Sequence, residues 1–194
     1  MTDQPESSDG RAEPVPDAKD WTWTVQRRCP ECGLSAGTIG VEEIADRSEA
    51  AAAEWVQILT GNPGALLRPA PLVWSPLEYG AHVRDVYQLF DARVVLMLTT
   101  DEPTFTNWDQ DETAISSRYA QADPDQVAAK LADVAVTLDG RIRSIEPSQL
   151  DRVGRRSDGA EFTVQTFLQY FLHDVVHHLW DVTGQQDAAS TLIT

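Results

Sequence analysis

Apolar residues recur every three or four positions in four stretches of the chain, the spacing that places them on one face of a helix. The predicted helices span residues 41–60, 75–98, 123–138 and 163–182. The second has a strong start signal, because Ser75 can cap it, Pro76 suits its first position and Glu78 completes a capping box. We expect Gly140 to weaken the third helix and Gly184 to end the fourth.

The remaining segments show no convincing alternation of apolar and polar residues, so the predicted fold is an all-α four-helix bundle. A long polar connection, residues 99–122, joins the second and third helices, and loops of this length are often functional. Residues 154–159 indicate a turn or a short hairpin.

The ends of the chain differ in character from the bundle. Residues 1–18 are acidic with almost nothing to bury, which predicts a disordered tail. Residues 19–40 form an irregular segment with a Cys-Pro-Glu-Cys motif. The predicted bundle then covers residues 41–183, and residues 184–194 are a C-terminal tail.

The charge of the chain narrows the classes of partner. Its 15 Lys and Arg against 31 Asp and Glu give a formal charge of -16, which repels nucleic-acid phosphates and anionic lipid headgroups. No stretch approaches the roughly 20 apolar residues that span a bilayer. The N-terminus also lacks the basic and then apolar pattern of a signal peptide. We therefore expect a cytoplasmic protein with no nucleic-acid or membrane partner.

The four histidines of the chain are the most informative candidates for chemistry. His173 and His177 are four residues apart on the fourth helix, so their Cβ atoms lie roughly 6 Å apart on one face. His82 belongs to the inward stripe of the second helix. These three can meet around one divalent metal ion, or each can be a hydrogen-bonded core residue. His178 points to another face and has a packing or supporting role in this prediction.

Three neutral imidazoles leave a metal with an open position, which is typical of a catalytic site. Zinc suits this ligand set, and nickel, iron or copper are also compatible with imidazole.

Several other side chains can support such a site, each with a structural alternative. Asp85 and Asp174 can orient a ligand histidine, or be solvated or paired with Arg84. Arg155 and Arg156, which precede the fourth helix, can bind an anionic substrate or neutralise local carboxylates. Trp108, in the long connection, can cover the site or anchor its own loop.

Cys29 and Cys32 have the spacing of half a metal or redox motif. A complete zinc ribbon needs four ligands, and the chain contains no second such pair. A thioredoxin-type pair follows a strand, and that context is missing. The cysteines can therefore be structural, offer a ligand to the metal, or share a zinc ion with His178 and a carboxylate.

Residues 74–85, Trp-Ser-Pro-Leu-Glu-Tyr-Gly-Ala-His-Val-Arg-Asp, and residues 173–178, His-Asp-Val-Val-His-His, resemble the DinB-like metal-dependent superfamily. This superfamily includes the mycothiol-dependent maleylpyruvate isomerase and thiol S-transferases, and the resemblance covers roughly residues 41–183. It implies an up-down-down-up bundle, usually a homodimer, with a metal held by residues that match His82, His173 and His177.

The resemblance also implies an activity. Characterised members join thiols such as mycothiol or bacillithiol to electrophiles, or use the thiol as a cofactor. We therefore expect a thiol S-transferase with mycothiol as a co-substrate. The alternatives are a non-catalytic protein that binds a metal or a small molecule, and a metal-dependent hydrolase.

Overall fold

The computed structural model describes residues 19–186, so the predicted acidic tail and residues 187–194 lie outside the described residues. The predicted four-helix bundle is confirmed. Its long helices are α1 (Val41–Gly61), α2 (Pro76–Thr99), α4 (Pro124–Arg143) and α5 (Val164–Thr183), and a short helix, α3 (Gln110–Ser116), lies in the long connection.

Local capping explains where the long helices begin and end. The Glu78 carboxylate accepts a hydrogen bond from the backbone N–H of Ser75 at 2.8 Å, and Ser75 Oγ accepts from the N–H of Glu78, as the capping box predicts. Gly184 ends α5 with φ +69°. The third predicted helix does not stop near Gly140 but continues to Arg143. Its buried face, which includes Leu138 and Ile142, offsets the roughly 1 kcal/mol that an interior glycine costs.

The helices surround an aromatic-rich core. α1 packs mainly against α4 and α5, and α2 packs against the same two helices, so α1 and α2 lie on a diagonal of the bundle. Tyr87 of α2 meets Phe171 of α5 edge to face at 5.0 Å between ring centroids. This arrangement leaves one face of α5 against α2 and another free to receive the N-terminal segment.

A small sheet joins the loops at one end of the bundle. The predicted turn is a hairpin of β2 (Val153–Arg156) and β3 (Glu161–Thr163), and β1 (Thr104–Phe105) pairs parallel to β2. A strand as short as β1 shows no alternation, which is why the sequence does not reveal it. The sheet positions the long connection beside α5.

Residues 19–40, hereafter the N-terminal segment, pack on α5. The segment contains two short 3-10 helices, Thr22–Val25 and Ala36–Thr38. The Gln169 amide of α5 donates to the carbonyl oxygens of Gly37 at 3.2 Å and Ile39 at 3.1 Å, which fixes the segment to the helix. Among residues 19–186, no helix is both long and apolar enough to cross a membrane.

Candidate metal centre

Two pairs of potential ligands lie on α5, offset by a single residue. His173 and His177 form one i,i+4 pair, and Asp174 and His178 form the other. Because a helix turns by about 100° per residue, the two pairs point in different directions. The structure accordingly sorts the potential ligands into two groups, and in each group one ligand atom per residue lies within 4.8 Å of the others.

The first group, hereafter the His82 group, consists of His82 of α2 with Asp174 and His178 of α5. Asp174 Oδ1 lies 3.5 Å from His82 Nε2 and 3.5 Å from His178 Nε2. His82 is fully buried, and neither of its ring nitrogens has a hydrogen-bond partner within residues 19–186; nor has Asp174 Oδ1. Buried polar atoms without partners are costly, and a divalent cation would satisfy all of them together. These side chains therefore fit a metal ion.

A carboxylate outside this group orients one of its histidines. His178 Nδ1 lies 2.8 Å from Asp181 Oδ2, and an ionised carboxylate can only accept, so Nδ1 carries the proton. The lone pair of His178 is then on Nε2, the atom that faces Asp174. Metal-binding histidines are typically held in this way. The sequence analysis missed Asp181, although its position three residues after His178 is a usable signal.

The protonation states in the His82 group suit a cation. Burial lowers the pKa of His82, although Asp174 opposes the shift, so this imidazole is neutral at neutral pH. Burial acts to raise the pKa of Asp174, but His82 and His178 keep that pKa below its ordinary value. A neutral imidazole and an ionised carboxylate are the forms that bind metals.

The second group, hereafter the Cys–His group, consists of Cys29, Cys32, His173 and His177, all of them buried. The cysteines are thiols, with no disulfide between them. Burial raises the pKa of the Cys32 thiol to about 12. Burial and the neighbouring His177 lower the pKa of His173 to about 4.

The structure does not bring the predicted ligands His82, His173 and His177 together in one group. The structure places His82 with Asp174 and His178, to which the sequence analysis gave supporting roles, and places His173 and His177 with the cysteines. The i,i+4 spacing was correct for a shared face of α5. The neighbouring elements decide which face meets α2 and which meets the N-terminal segment.

A cavity of about 840 Å³ lies beside both groups. Asp174 and His178 line it, together with Trp21 of the N-terminal segment, Trp108 and Arg156. The Trp108 ring stacks on His82 at 5.2 Å with an interplanar angle of 8°. Trp108 also donates its Nε1–H to Thr113 Oγ1 at 2.8 Å. It therefore both anchors its loop and covers the candidate site.

Comparison with known proteins identifies the family to which the bundle belongs. The family model of the DinB superfamily matches residues 44–182, more than half of the 194 residues. The chain belongs to the DinB superfamily. No curated protein matches the chain. The His82 group and residues 173–178 lie within the DinB match, whereas Cys29 and Cys32 lie before it.

A solved structure resembles this DinB bundle over nearly its whole length. YfiT from Bacillus subtilis, described as "a probable metal-dependent hydrolase with an unusual four-helix bundle topology", superposes with a TM-score of 0.65 and is 16% identical. The match covers 90% of this chain and 91% of YfiT. At this identity the likeness shows the shared fold.

Two predicted site residues lie away from the DinB cavity. Arg155 is partly exposed and pairs with Glu102 at 2.7 Å and Glu161 at 2.9 Å. Asp85 accepts hydrogen bonds from Arg84 and from the Tyr119 hydroxyl, and belongs to neither ligand group. Arg156, by contrast, lines the cavity, where it also pairs with Asp158.

Proposed function

We propose that this chain is a metal-dependent thiol S-transferase in which His82, Asp174 and His178 hold one divalent ion. The observation that carries this proposal is the convergence of three ligand atoms beside a large cavity, where His82 Nε2 and Asp174 Oδ1 are buried and have no hydrogen-bond partner among residues 19–186. Two imidazoles and a carboxylate are the protein ligands of several catalytic zinc sites, which keep a further position open. Zinc is therefore the leading metal, with nickel, iron or copper as alternatives.

The bound cation would supply the positive charge that lowers the pKa of an incoming thiol. The chain's own residues prepare the surroundings. His82 is held in place by burial, and Asp181 fixes the ring of His178. Trp108 covers His82 and excludes water from that side.

The cavity supports a co-substrate larger than water. Its volume of about 840 Å³ is in the upper part of the range for small-molecule sites, about 300–1,000 Å³. This volume is sufficient for a sugar-bearing thiol such as mycothiol beside an electrophile. The Trp21 and Trp108 rings offer apolar contact to the electrophile, and Arg156 offers a cation to an anionic group.

Tyr170 also lines the cavity and can assist the reaction. Burial and the nearby Asp174 raise the pKa of its hydroxyl to about 12, so this group stays protonated at neutral pH. It can donate a hydrogen bond to the atom that leaves the electrophilic carbon as the new carbon–sulfur bond forms.

The direct test is thiol conjugation by the zinc-loaded protein, with mycothiol and monochlorobimane as substrates. We expect a rate above the uncatalysed reaction, and a fall in kcat/KM of roughly 100-fold or more in Asp174→Asn. A wild-type rate no higher than that of the uncatalysed reaction, with mycothiol, bacillithiol and glutathione alike, would refute the proposal.

Adjacent arginines provide a matched pair for substrate binding. Arg156→Gln should raise the KM for an anionic thiol several-fold, because it removes a cation from the cavity wall. Arg155→Gln makes the same chemical change on the outer surface, where Arg155 pairs with Glu102 and Glu161. Equal effects of the two substitutions would contradict the assignment of Arg156.

A metal-dependent hydrolase is the second candidate. Two histidines and one carboxylate are also the ligand set of thermolysin-type zinc hydrolases, and YfiT is described as a probable hydrolase. Hydrolysis of an activated ester without any thiol, lost in Asp174→Asn, would favour this candidate if conjugation is absent.

A further inference from the structure

We propose a second metal site, independent of the His82 group: a closed zinc site in which Cys29, Cys32, His173 and His177 fasten the N-terminal segment to α5. It differs from the His82 group in having four protein ligands, the number that completes a tetrahedral zinc shell. Two of these ligands precede the region that matches the DinB family model.

The distances within the Cys–His group are close to those of a bound ion. Its ligand atoms lie within 4.8 Å of one another, and Cys29 Sγ lies 3.8 Å from His177 Nδ1. Tetrahedral zinc with ordinary bond lengths places neighbouring ligand atoms about 3.3–3.8 Å apart. Small side-chain movements therefore convert the group into a coordination shell.

The cysteine motif is folded into a turn that presents both sulfur atoms to one side. The Cys29 carbonyl accepts from the N–H of Gly33 at 3.0 Å, and the Cys29 N–H donates to the Leu34 carbonyl at 2.9 Å. Gly33 has φ +82°, a conformation that side-chain-bearing residues rarely adopt.

Both histidines of the group have a ring nitrogen that is available to bind a cation. His177 Nε2 lies 3.4 Å from the Glu31 carboxylate, which favours a proton on Nε2 and leaves the lone pair of Nδ1 toward Cys29. His173 is 2% exposed, and its Nε2 has no hydrogen-bond partner in the part of the chain that the structure describes. A structural metal accounts for this unpaired buried nitrogen.

The site links the N-terminal segment to the cavity. Trp21 follows Lys19 and Asp20 along the cavity wall, and its ring lies 4.7 Å from the His177 ring and 5.5 Å from that of His173. An ion bound to His173 and His177 would therefore hold this wall in place. The role of this zinc is structural, and the reaction proposed above takes place at the other site.

Cobalt substitution tests the proposal without an activity assay. The metal-free, reduced protein is titrated with Co²⁺, and the near-ultraviolet thiolate-to-cobalt band is recorded together with the number of ions bound. The chain contains two cysteines, so such a band can come only from Cys29 and Cys32. We expect two bound ions, one of which produces the band.

Two variants separate this site from the catalytic one. Cys29→Ser with Cys32→Ser should lose the band and one ion while keeping the second ion. Asp174→Asn should lose the other ion and keep the band. Wild-type protein that shows no band, or that contains a Cys29–Cys32 disulfide when purified without reductant, would overturn the proposal. Neither result would affect the His82 group, so the two assignments fail separately.

Limited proteolysis tests the structural role on wild-type protein. Arg27 and Arg28 offer trypsin sites within the N-terminal segment. Zinc should slow cleavage there by roughly tenfold or more, because the bound ion opposes detachment of the segment from α5. Equal cleavage rates with and without zinc would overturn the structural role.

Discussion

Asp181 offers a sharp test of the His82 group, because it touches a ligand histidine without belonging to the group. Its Oδ2 accepts from His178 Nδ1 at 2.8 Å, with Asp181 on the exposed side of the pair and the His178 side chain 16% exposed. The substitution Asp181→Asn keeps the shape of the side chain and removes its charge. The variant should therefore fold normally and hold His178 less firmly.

The expected loss of metal affinity follows from the known contribution of carboxylates that hydrogen-bond to a metal-binding histidine. Loss of an outer carboxylate typically weakens metal binding by about 10–100-fold, or about 1.4–2.7 kcal/mol. Since the amide oxygen of the substituted side chain can still accept the Nδ1–H and solvent reaches part of the pair, we expect the lower end, about tenfold.

The assay is a competition titration with a chromophoric zinc chelator, supported by the cobalt band. Affinity should fall for the ion that produces no thiolate band and stay constant for the other. Asp133→Asn, on the exposed face of α4, makes the same charge change away from both groups and serves as the control. Unchanged affinity in Asp181→Asn, or a loss confined to the thiolate-bound ion, would refute the assignment of His178 to the His82 group.

Three further substitutions test the fold. Gly37→Ala should detach the N-terminal segment, since its Cβ would lie 2.0 Å from the Val25 carbonyl oxygen, and trypsin cleavage should accelerate. Gly140→Ala, with open space around the new Cβ, should stabilise α4 by about 0.5–1 kcal/mol in urea unfolding; destabilisation would contradict this. Burial raises the pKa of Asp139 from 3.8 to about 7. The folded state therefore retains a proton that the unfolded chain loses near pH 4, and stability falls as pH rises toward 7. Asp139→Asn should remove this fall, up to about 4 kcal/mol between about pH 4 and 7, and an unchanged pH dependence would contradict it.

The long helices could be predicted from the sequence because their signals are local. The capping box at Ser75 and the glycine at 184 act within a few residues, and the structure confirms both. The division of the ligands could not be predicted in the same way. Positions 173 and 177, like 174 and 178, satisfy the same helical spacing, and only the packing of α2 and the N-terminal segment distinguishes them.

Some site residues depend on contacts between distant parts of the chain. Arg155 and Arg156 are adjacent and chemically identical, yet the hairpin directs one toward Glu102 and Glu161 and the other toward the cavity. This alternation follows from the strand geometry of β2, because neighbouring residues of a strand point to opposite faces of the sheet. The homodimer and the cytoplasmic location stay predictions, and sedimentation and cell fractionation can check them.

The central claim is that neighbouring residues of α5 bind two separate metal ions. Anomalous diffraction at the zinc edge, from crystals of protein purified without chelators, tests it most directly. The account predicts one peak among His82, Asp174 and His178, and a second among Cys29, Cys32, His173 and His177. A single peak bound by His82, His173 and His177, or no peak beside His82, would contradict it.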